Sequence, residues 1–452
     1  MAQFPADFKW GVATASYQIE GGAAADGRSP SIWDTFSHTP GKVLNGDTGD
    51  VACDHYHRWA EDVRLMQQLG VKTYRLSISW SRVLPQGVGA VNEAGLAFYD
   101  RLVDALLQAG IAPMITLYHW DLPQALEDHG GWADRSIVDA FANYTDVIVS
   151  SLGDRVKQWI TFNEPQVFTF AGYGTGRHAP GLKDIRLALK AVHHTLLAHG
   201  HAVPIIRAKC ANAEVGITLN LYPCRPATDT LADQLAAHLH ESNANRLFLN
   251  PVFGQGYPPE SLTYYADLMP DIAPNDMNEI AAPLDFLGVN YYRPDFVALT
   301  NVEENPAGYR QLTVQELAER GHKLTDMGWP IDANGLTDLL VQIKNDYAPK
   351  AIYITENGAA FPDKIVKGQT PAIDDTDRVE YLRDHIAACL TAIEQGVPLK
   401  GYYLWSLLDN FEWAWGYSKR FGIVAIKPDS LERIPKQSYL YYQKVIAAGS
   451  PI

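Results

Sequence analysis

Residues 92–120 read NEAGLAFYDRLVDALLQAG and then IAPMITLYHW. In the first part, Leu96, Tyr99, Leu102, Val103 and Leu106 recur at helical spacing, and Gly110 stands where a closing helix wants a residue tolerant of the left-handed conformation. The second part is a short apolar and β-branched run of the kind that fits a buried strand. The same phrase stands on either side. RWAEDVRLMQQLG closes at Gly70 before VKTYRLSISW, and SIVDAFANYTDVIVSSLG closes at Gly153, just ahead of RVKQWITFNE. The closing glycines lie 40 and 43 positions apart, which suits a helix followed by a parallel strand, because parallel strands need a crossover of a dozen or more residues.

Outward from this core, further strand-like runs are KWGVATA near the start, EVGITLNLY at 214–222, LDFLGVNYY at 284–292, AIYIT at 351–355 and GYYLWS at 401–406. Eight strand units with helical patterns between most of them predict an α/β chain folded as a single closed (β/α)₈ TIM barrel over residues 1–452. A doubly wound open sheet is the competing architecture; it calls for a GxGxxG turn after the first strand, and ATASYQIEGG is not one. Long stretches at 165–185, 222–245, 293–335, 357–376 and 409–437 read as irregular loop insertions, which in a barrel gather at the C-terminal face where active sites form.

Two of the strands rhyme. WITFNEP carries Glu164 and IYITENG carries Glu356, each beside an asparagine. Parallel strands of one barrel deliver their ends to a common mouth, so two glutamates 192 positions apart can meet there. The other expected strand-end residues are Tyr17, Gln18, Glu20, Trp80, His119, Trp120, Asp121, Asn163, Asn220, Asn290, Tyr292, Asn357, Trp405, Asp409, Glu412 and Trp413. Paired carboxylates among amides and large aromatics suit glycosidic bond cleavage, in which one protonates the leaving oxygen while the other stabilises or attacks the anomeric carbon. The alternative is that each glutamate merely pairs with a basic residue such as Arg75.

Composition narrows the field. Apolar content of 47% and charged content of 20% are ordinary for a globular chain, and a formal charge of −15 argues against nucleic acid or an anionic membrane as partner. Cys53, Cys210, Cys224 and Cys389 are scattered, with no CxxC pair, which suits free thiols in a reducing compartment. MAQFPADFKW lacks a basic segment followed by an apolar one, and no run approaches the ~18 apolar residues of a membrane span, so a cytoplasmic location is expected. Metal hydrolysis would want histidines clustered at strand ends; His55 and His57 precede a helix, His193, His194, His199 and His201 fall in a helical pattern, and only His119 ends a strand. GYGTGRHAPG at 172–181 lacks phosphate-loop spacing and reads as a plain loop, and no G-x-S-x-G elbow is present.

The chain resembles glycoside hydrolase family 1, in particular its bacterial β-glucosidases. The resemblance runs through FKWGVATASYQIEGG, SIWDTFSHTPGKV, DTGDVACDHYHRW, YRLSISWSRVLP, TLYHWDLPQAL, TFNEP, GVNYYRPD, YITENG and GYYLWSLLDNFEWAWGYSKRFGIV, nearly the full length. It implies a retaining β-glycosidase on a (β/α)₈ barrel, acting on small β-glucosides and cello-oligosaccharides with no cofactor and no metal. By motif, Glu164 resembles the family's acid/base and Glu356 its nucleophile. Arg75, Asn290 and Tyr292 resemble groups that support the nucleophile. Gln18, His119, Trp120, Asn163, Trp405, Glu412 and Trp413 resemble contacts to the sugar, and Trp329 a stacking wall for the leaving group.

On the same resemblance, ionised Glu356, held by Arg75, should keep Glu164 protonated. Relatives that hydrolyse 6-phosphorylated sugars carry serine at Glu412, tyrosine at Phe421 and a lysine matching Lys419. A substrate-facing Glu412 beside Phe421 therefore implies an unphosphorylated sugar, unless Glu412 merely pairs with Lys419 or Arg420. Departures are Gln166 and Val167 after TFNEP and Trp415 in FEWAWGY, expected at the pocket rim, where they bear on aglycone preference. The remaining alternatives are a β-galactosidase or β-fucosidase of the same family, a metal-dependent barrel hydrolase, and a sugar-binding barrel without catalysis.

Overall fold

Eight parallel strands close on themselves: β1 (Lys9–Ala13), β2 (Thr73–Ser77), β3 (Ala112–Tyr118), β4 (Gln158–Asn163), β5 (Glu214–Asn220), β6 (Phe286–Asn290), β7 (Ile352–Asn357) and β8 (Leu399–Trp405), each bonded to its neighbours in order and β8 to β1. This is a computed structural model that describes residues 3–301, 307–366 and 373–452. Helices fill the crossovers, among them α1 (His55–Leu69), α2 (Glu93–Gln108), α3 (Ile137–Leu152) and α4 (Ile185–Lys209). The apolar stripe of α2 forms as its spacing predicts, with Tyr99, Leu102, Val103 and Leu106 buried and Leu96 partly so. Gly70 and Gly110 take the left-handed conformation after α1 and α2, whereas Gly153 stays right-handed and adds one more helical hydrogen bond, to Val149.

Alternation sorts the strand residues into two layers. Outward residues such as Tyr74, Leu76, Trp159 and Phe162 join the main core between barrel and helices. Inward residues fill the barrel: Met114, Ile160, Phe286, Tyr353 and Tyr403 form an apolar plug towards its N-terminal end. Above them lies a polar layer of Arg75, Thr116, Asn163, Thr218, Asn290, Thr355 and Glu356, all buried. Gly288 makes room for it, since a Cβ there would lie 2.2 Å from Thr218 Oγ1.

Two register breaks aim the key residues. On β7, Ile354 pairs with Val289, but Glu356 rather than Thr355 pairs with Asn290. Strict alternation after Tyr353 and Thr355 would turn Glu356 out towards the helices; the extra residue leaves both Thr355 and Glu356 facing inward. On β4, Ile160 pairs with Gly216, yet Asn163 rather than Phe162 pairs with Thr218. Phe162 therefore packs outward, 4.4 Å from the Phe141 ring, and Asn163 points in.

The insertions are less irregular than their sequence suggests. Cys224–Pro226, Asp295–Leu299 and Tyr309–Gln311 form a small sheet beside a helix at Leu231–Glu241, and Val424–Ile426 pairs with Arg433–Pro435. Strands of three to five residues are too short to show a period. Parts of the stretches 293–335 and 357–376, at 302–306 and 367–372, lie outside the described residues. All four cysteines are free, and no helix among the described residues is long and apolar enough to cross a membrane.

Candidate active site

β2, β3, β4, β6 and β7, with the residues that closely follow β4 and β6, bring eight polar side chains into one buried network. Arg75 donates from Nη1 to Glu356 Oε1 at 2.6 Å, from Nη2 to Asn163 Oδ1 at 2.6 Å and from Nε to Thr116 Oγ1 at 3.1 Å. The Tyr292 hydroxyl donates to the other Glu356 oxygen at 2.6 Å. Asn290 Nδ2 donates to Glu164 Oε1 at 2.7 Å and to Asn163 Oδ1 at 3.0 Å, while its Oδ1 accepts from Thr355 at 2.8 Å. Asn163 Oδ1 is thus the hinge between the two carboxylates: it accepts from Arg75, which holds Glu356, and from Asn290, which holds Glu164.

The two glutamates differ in company. Glu356 has a cation, whereas Glu164 has no ion pair among the described residues and is met only by amides. Burial, and then the charge of Glu356, push the Glu164 carboxyl up to about 8, so it holds its proton at neutral pH. Burial also raises Glu356, so Arg75 does not keep it in the ordinary carboxylate range; Arg75 and Tyr292 oppose the rise.

Asn163 also fixes a tautomer. With Oδ1 occupied by two donors, its Nδ2 must donate to His119 Nε2, 3.0 Å away, leaving the proton on Nδ1. Burial holds the His119 pKa well below its usual value, so the ring is neutral with an unpartnered Nδ1–H. Gln18 is similarly committed on one side: Nε2 donates to Asn410 Oδ1 and Phe411 O, leaving Oε1 unpartnered. Both are buried groups with one hydrogen-bonding atom to spare, a combination that in a folded protein calls for a partner.

Aromatic rings gather around the site. His119 lies nearly parallel to Trp405 and Trp413, at 5.9 and 6.0 Å, and Trp413 packs on Trp120 at 4.5 Å. Trp120 is anchored through Nε1 to the Asn163 carbonyl at 2.9 Å. Tyr292, Trp329 and Phe421 contact one another at 5.4–6.1 Å, and Trp405 shares a buried cluster with Tyr292 and Phe421. Trp120, Glu164 and Trp413 all have positive φ, at 78°, 49° and 50°, a costly conformation for side-chain-bearing residues that clusters at functional sites.

Glu412 is half-buried, and its carboxyl is raised to about 8 by burial and by Glu356. It does not pair with Lys419 or Arg420: Lys419 binds Asp326 at 3.0 Å, and Arg420 binds Asp363 at 3.0 Å.

Several strand-end residues do not face the mouth. Glu20 is bound to Arg82 and Tyr99 at 3.0 and 2.7 Å, and Trp80 stacks on Tyr144 in the outer core. Asp121 accepts from Ser16, Asn357 is held by Tyr291, Tyr381 and Tyr402, and Asp409 by Lys436. Position after a strand does not say which way a side chain turns. Gln166 is not at the rim either: it is buried, and its Nε2 donates to the Asn220 carbonyl at 3.2 Å. Trp415, by contrast, is 47% exposed.

Sequence reading missed two walls. Trp33, in an insertion after β1, packs 4.6 Å from Trp413, and His178 lies 5.4 Å from Trp33 and 5.6 Å from Trp120. His178 belongs to the glycine-rich 172–181 stretch, which packs through this residue on Trp33 and Trp120. The histidines of α1 and α4 are packing and surface groups, with His55 opening α1 rather than preceding it and bound to Asp62. Among the described residues, no three His, Cys, Asp or Glu side chains are grouped to hold a metal.

A (β/α)₈ barrel presenting two carboxylates of unlike environment in an aromatic, amide-lined mouth defines the glycoside-cleaving class of barrel enzymes. The family model for glycosyl hydrolase family 1 matches residues 1–450. The chain is 49% identical over 445 residues to β-glucosidase A of Thermotoga maritima, covering 98% of each, and 44% identical to a bifunctional β-D-glucosidase/β-D-fucosidase of Bifidobacterium breve, covering 99% of each. A β-glucosidase from T. maritima solved in complex with deoxynojirimycin superposes with a TM-score of 0.95 at 47% identity, covering 100% of both chains. The chain therefore belongs to glycosyl hydrolase family 1.

Proposed function

We propose that this chain is a retaining β-glucosidase whose residues 1–452 act as one catalytic domain, releasing terminal β-D-glucosyl groups from small glucosides and cello-oligosaccharides. The observation that carries the reading is the asymmetry of the two carboxylates: one next to a cation, the other uncharged at neutral pH. Glu356 attacks the anomeric carbon, and the bond to the leaving oxygen breaks as that oxygen takes the proton from Glu164. Glu164, now a carboxylate, removes a proton from water, whose oxygen attacks the same carbon and returns the electron pair to Glu356. Retention requires the two carboxyls about 5–5.5 Å apart, and the shared Asn290–Asn163–Arg75 contacts fit a short separation.

The remaining polar groups orient the sugar. His119 Nδ1–H donates to a hydroxyl, Gln18 Oε1 accepts one, and Glu412 meets the hydroxyls near Trp405 and Trp413, whose flat faces take the C–H surface of the ring. Trp329 stacks on the leaving group, and Phe421 completes that wall. A cytoplasmic location suits the free thiols.

A panel of nitrophenyl β-glycosides assayed across pH, with and without a chelator, tests the reading. The glucoside should be cleaved, and the chelator should change nothing. The kcat/KM profile should be bell-shaped, because Glu356 must be ionised and Glu164 protonated. As pH rises, the alkaline limb should fall near 8, where Glu164 loses its proton; as pH falls, the acidic limb should begin above the ordinary carboxylate range, because Glu356 is raised. The two values belong to the coupled pair, yet Glu164→Gln should remove the alkaline limb with an activated substrate. Loss of activity to the chelator, or an alkaline limb unchanged in that variant, would refute this assignment.

A further inference from the structure

A ring of four charges takes no part in the mechanism above. Lys436, fully buried just before the last helix (Gln437–Ala448), lies 2.9 Å from both Asp409 oxygens and 2.8 Å from Asp363 Oδ1. Arg420 closes the ring, 3.0 Å from Asp363 and 3.5 Å from Asp409. Two cations and two carboxylates thus join the loop after β7, the loop after β8 and the entrance to the last helix. The Arg420 side chain is 36% exposed, so Lys436 is the cation with no recourse to water.

The ring sits at the root of the loop that carries Glu412 and Trp413. Asp409 Oδ1 also accepts from the Gly422 backbone N–H at 2.9 Å, which pins the end of that loop to its start. A Cβ on Gly422 would lie 2.0 Å from the Asp409 nitrogen, so this closure needs glycine. Just inside it, Asn410 Oδ1 and Phe411 O accept from Gln18 Nε2 at 3.1 and 2.9 Å, the two bonds that leave Gln18 Oε1 spare. Trp413 holds a φ of 50°, which persists only where the surroundings impose it. Gln18, Glu412 and Trp413 therefore all take their places from backbone strung between Asp409 and Gly422. Buried ion pairs add little net stability, because desolvation offsets the attraction, but an ammonium set between two carboxylates fixes their spacing. We propose that Lys436 is a positioning residue for the sugar, setting through Asp409 the seat of the 409–422 loop and so its fit to the sugar's hydroxymethyl side. The inference rests on the glucosidase reading and names a residue behind its choice of sugar.

The test compares nitrophenyl β-glucoside with nitrophenyl β-xyloside, which lacks the hydroxymethyl group, in the parent, Lys436→Met and Asp363→Asn. The leaving group is the same, so the ratio of the two kcat/KM values cancels the amount of folded enzyme and any loss common to both substrates. The parent should favour the glucoside. In Lys436→Met the ratio should fall roughly tenfold, the upper scale of one net hydrogen bond, and glucose should inhibit more weakly in step. Asp363→Asn leaves Lys436 on Asp409 and should lower the ratio by about two- to threefold, the lower end of that scale. If Lys436→Met does not fold, Asp363→Asn decides alone. A ratio unchanged or raised in the folded variants, even with a lower melting temperature, makes the ring structural only and overturns the proposal while leaving the glucosidase reading intact. A parent that cleaves the two glycosides alike also overturns the proposal alone. A parent that cleaves no nitrophenyl glycoside overturns both.

Discussion

Replacing Glu356 with alanine is expected to lower turnover of a nitrophenyl β-glucoside by a factor on the order of 10⁶, the scale at which loss of a covalent nucleophile disables a hydrolase. Azide should then restore cleavage and yield the α-glycosyl azide, because a small anion occupying the vacated space attacks from the face Glu356 used. Glu164→Ala should behave oppositely. With a good leaving group the covalent intermediate still forms, and azide attacking it gives the β-glycosyl azide. Glu356→Ala leaves the Arg75 guanidinium buried without its carboxylate, a loss of about 3–5 kcal/mol in stability. Rescue itself shows that the variant is folded. Interchanged azide products, α from Glu164→Ala and β from Glu356→Ala, would reverse the two roles.

The second large effect concerns the sugar's 6-position. A substrate-facing carboxylate at Glu412 repels a dianionic phosphate, but the structure alters the reason. Glu412, raised to about 8, is largely uncharged at neutral pH, so repulsion is a minor part of the discrimination there and grows as pH climbs past 8. The larger part is that the cations nearby are taken: Lys419 by Asp326, and Arg420 by Asp363 and Asp409. A phosphate in this pocket would be a desolvated charge without a partner, costing several kcal/mol. The parent should therefore cleave a β-glucoside at least about a thousandfold better than its 6-phosphate, a ratio worth about 4 kcal/mol. Glu412→Ser alone should narrow the gap only partly, because Lys419 stays bound to Asp326; adding Asp326→Asn should narrow it further. Comparable kcat/KM on both substrates in the parent would contradict the account.

Much of the barrel was legible because periodicity reports burial. The face of α2, the repeat of closing glycines and the apolar strand runs each mark a surface hidden from water. Glu164 and Glu356 stood out because a carboxylate ending an apolar strand needs a reason. What the sequence hid was direction. Strict alternation turns Glu356 outward, and only the one-residue register break beside Asn290 brings it to Arg75; nothing in YITENG marks that break. The same blindness led Glu20, Trp80, Asn357 and Asp409 to be counted at the mouth, though each is held in the surrounding structure. Trp33 and His178 were missed for the converse reason: they come from insertions without period, whose paths are set by distant contacts. The protonation of Glu412 and the elevation of Glu356 follow from burial depth, which only the folded chain reveals.

The account turns on a double displacement through Glu356, and the stereochemistry of the first product tests that most directly. A nitrophenyl β-D-glucoside should be hydrolysed in deuterated buffer while the anomeric protons are followed by NMR, fast enough to precede mutarotation. Double displacement predicts that β-glucose appears first and that the α-anomer grows in only at the rate of mutarotation. α-Glucose as the initial product would mean a single displacement by water, and would contradict the assignment of Glu356 as nucleophile.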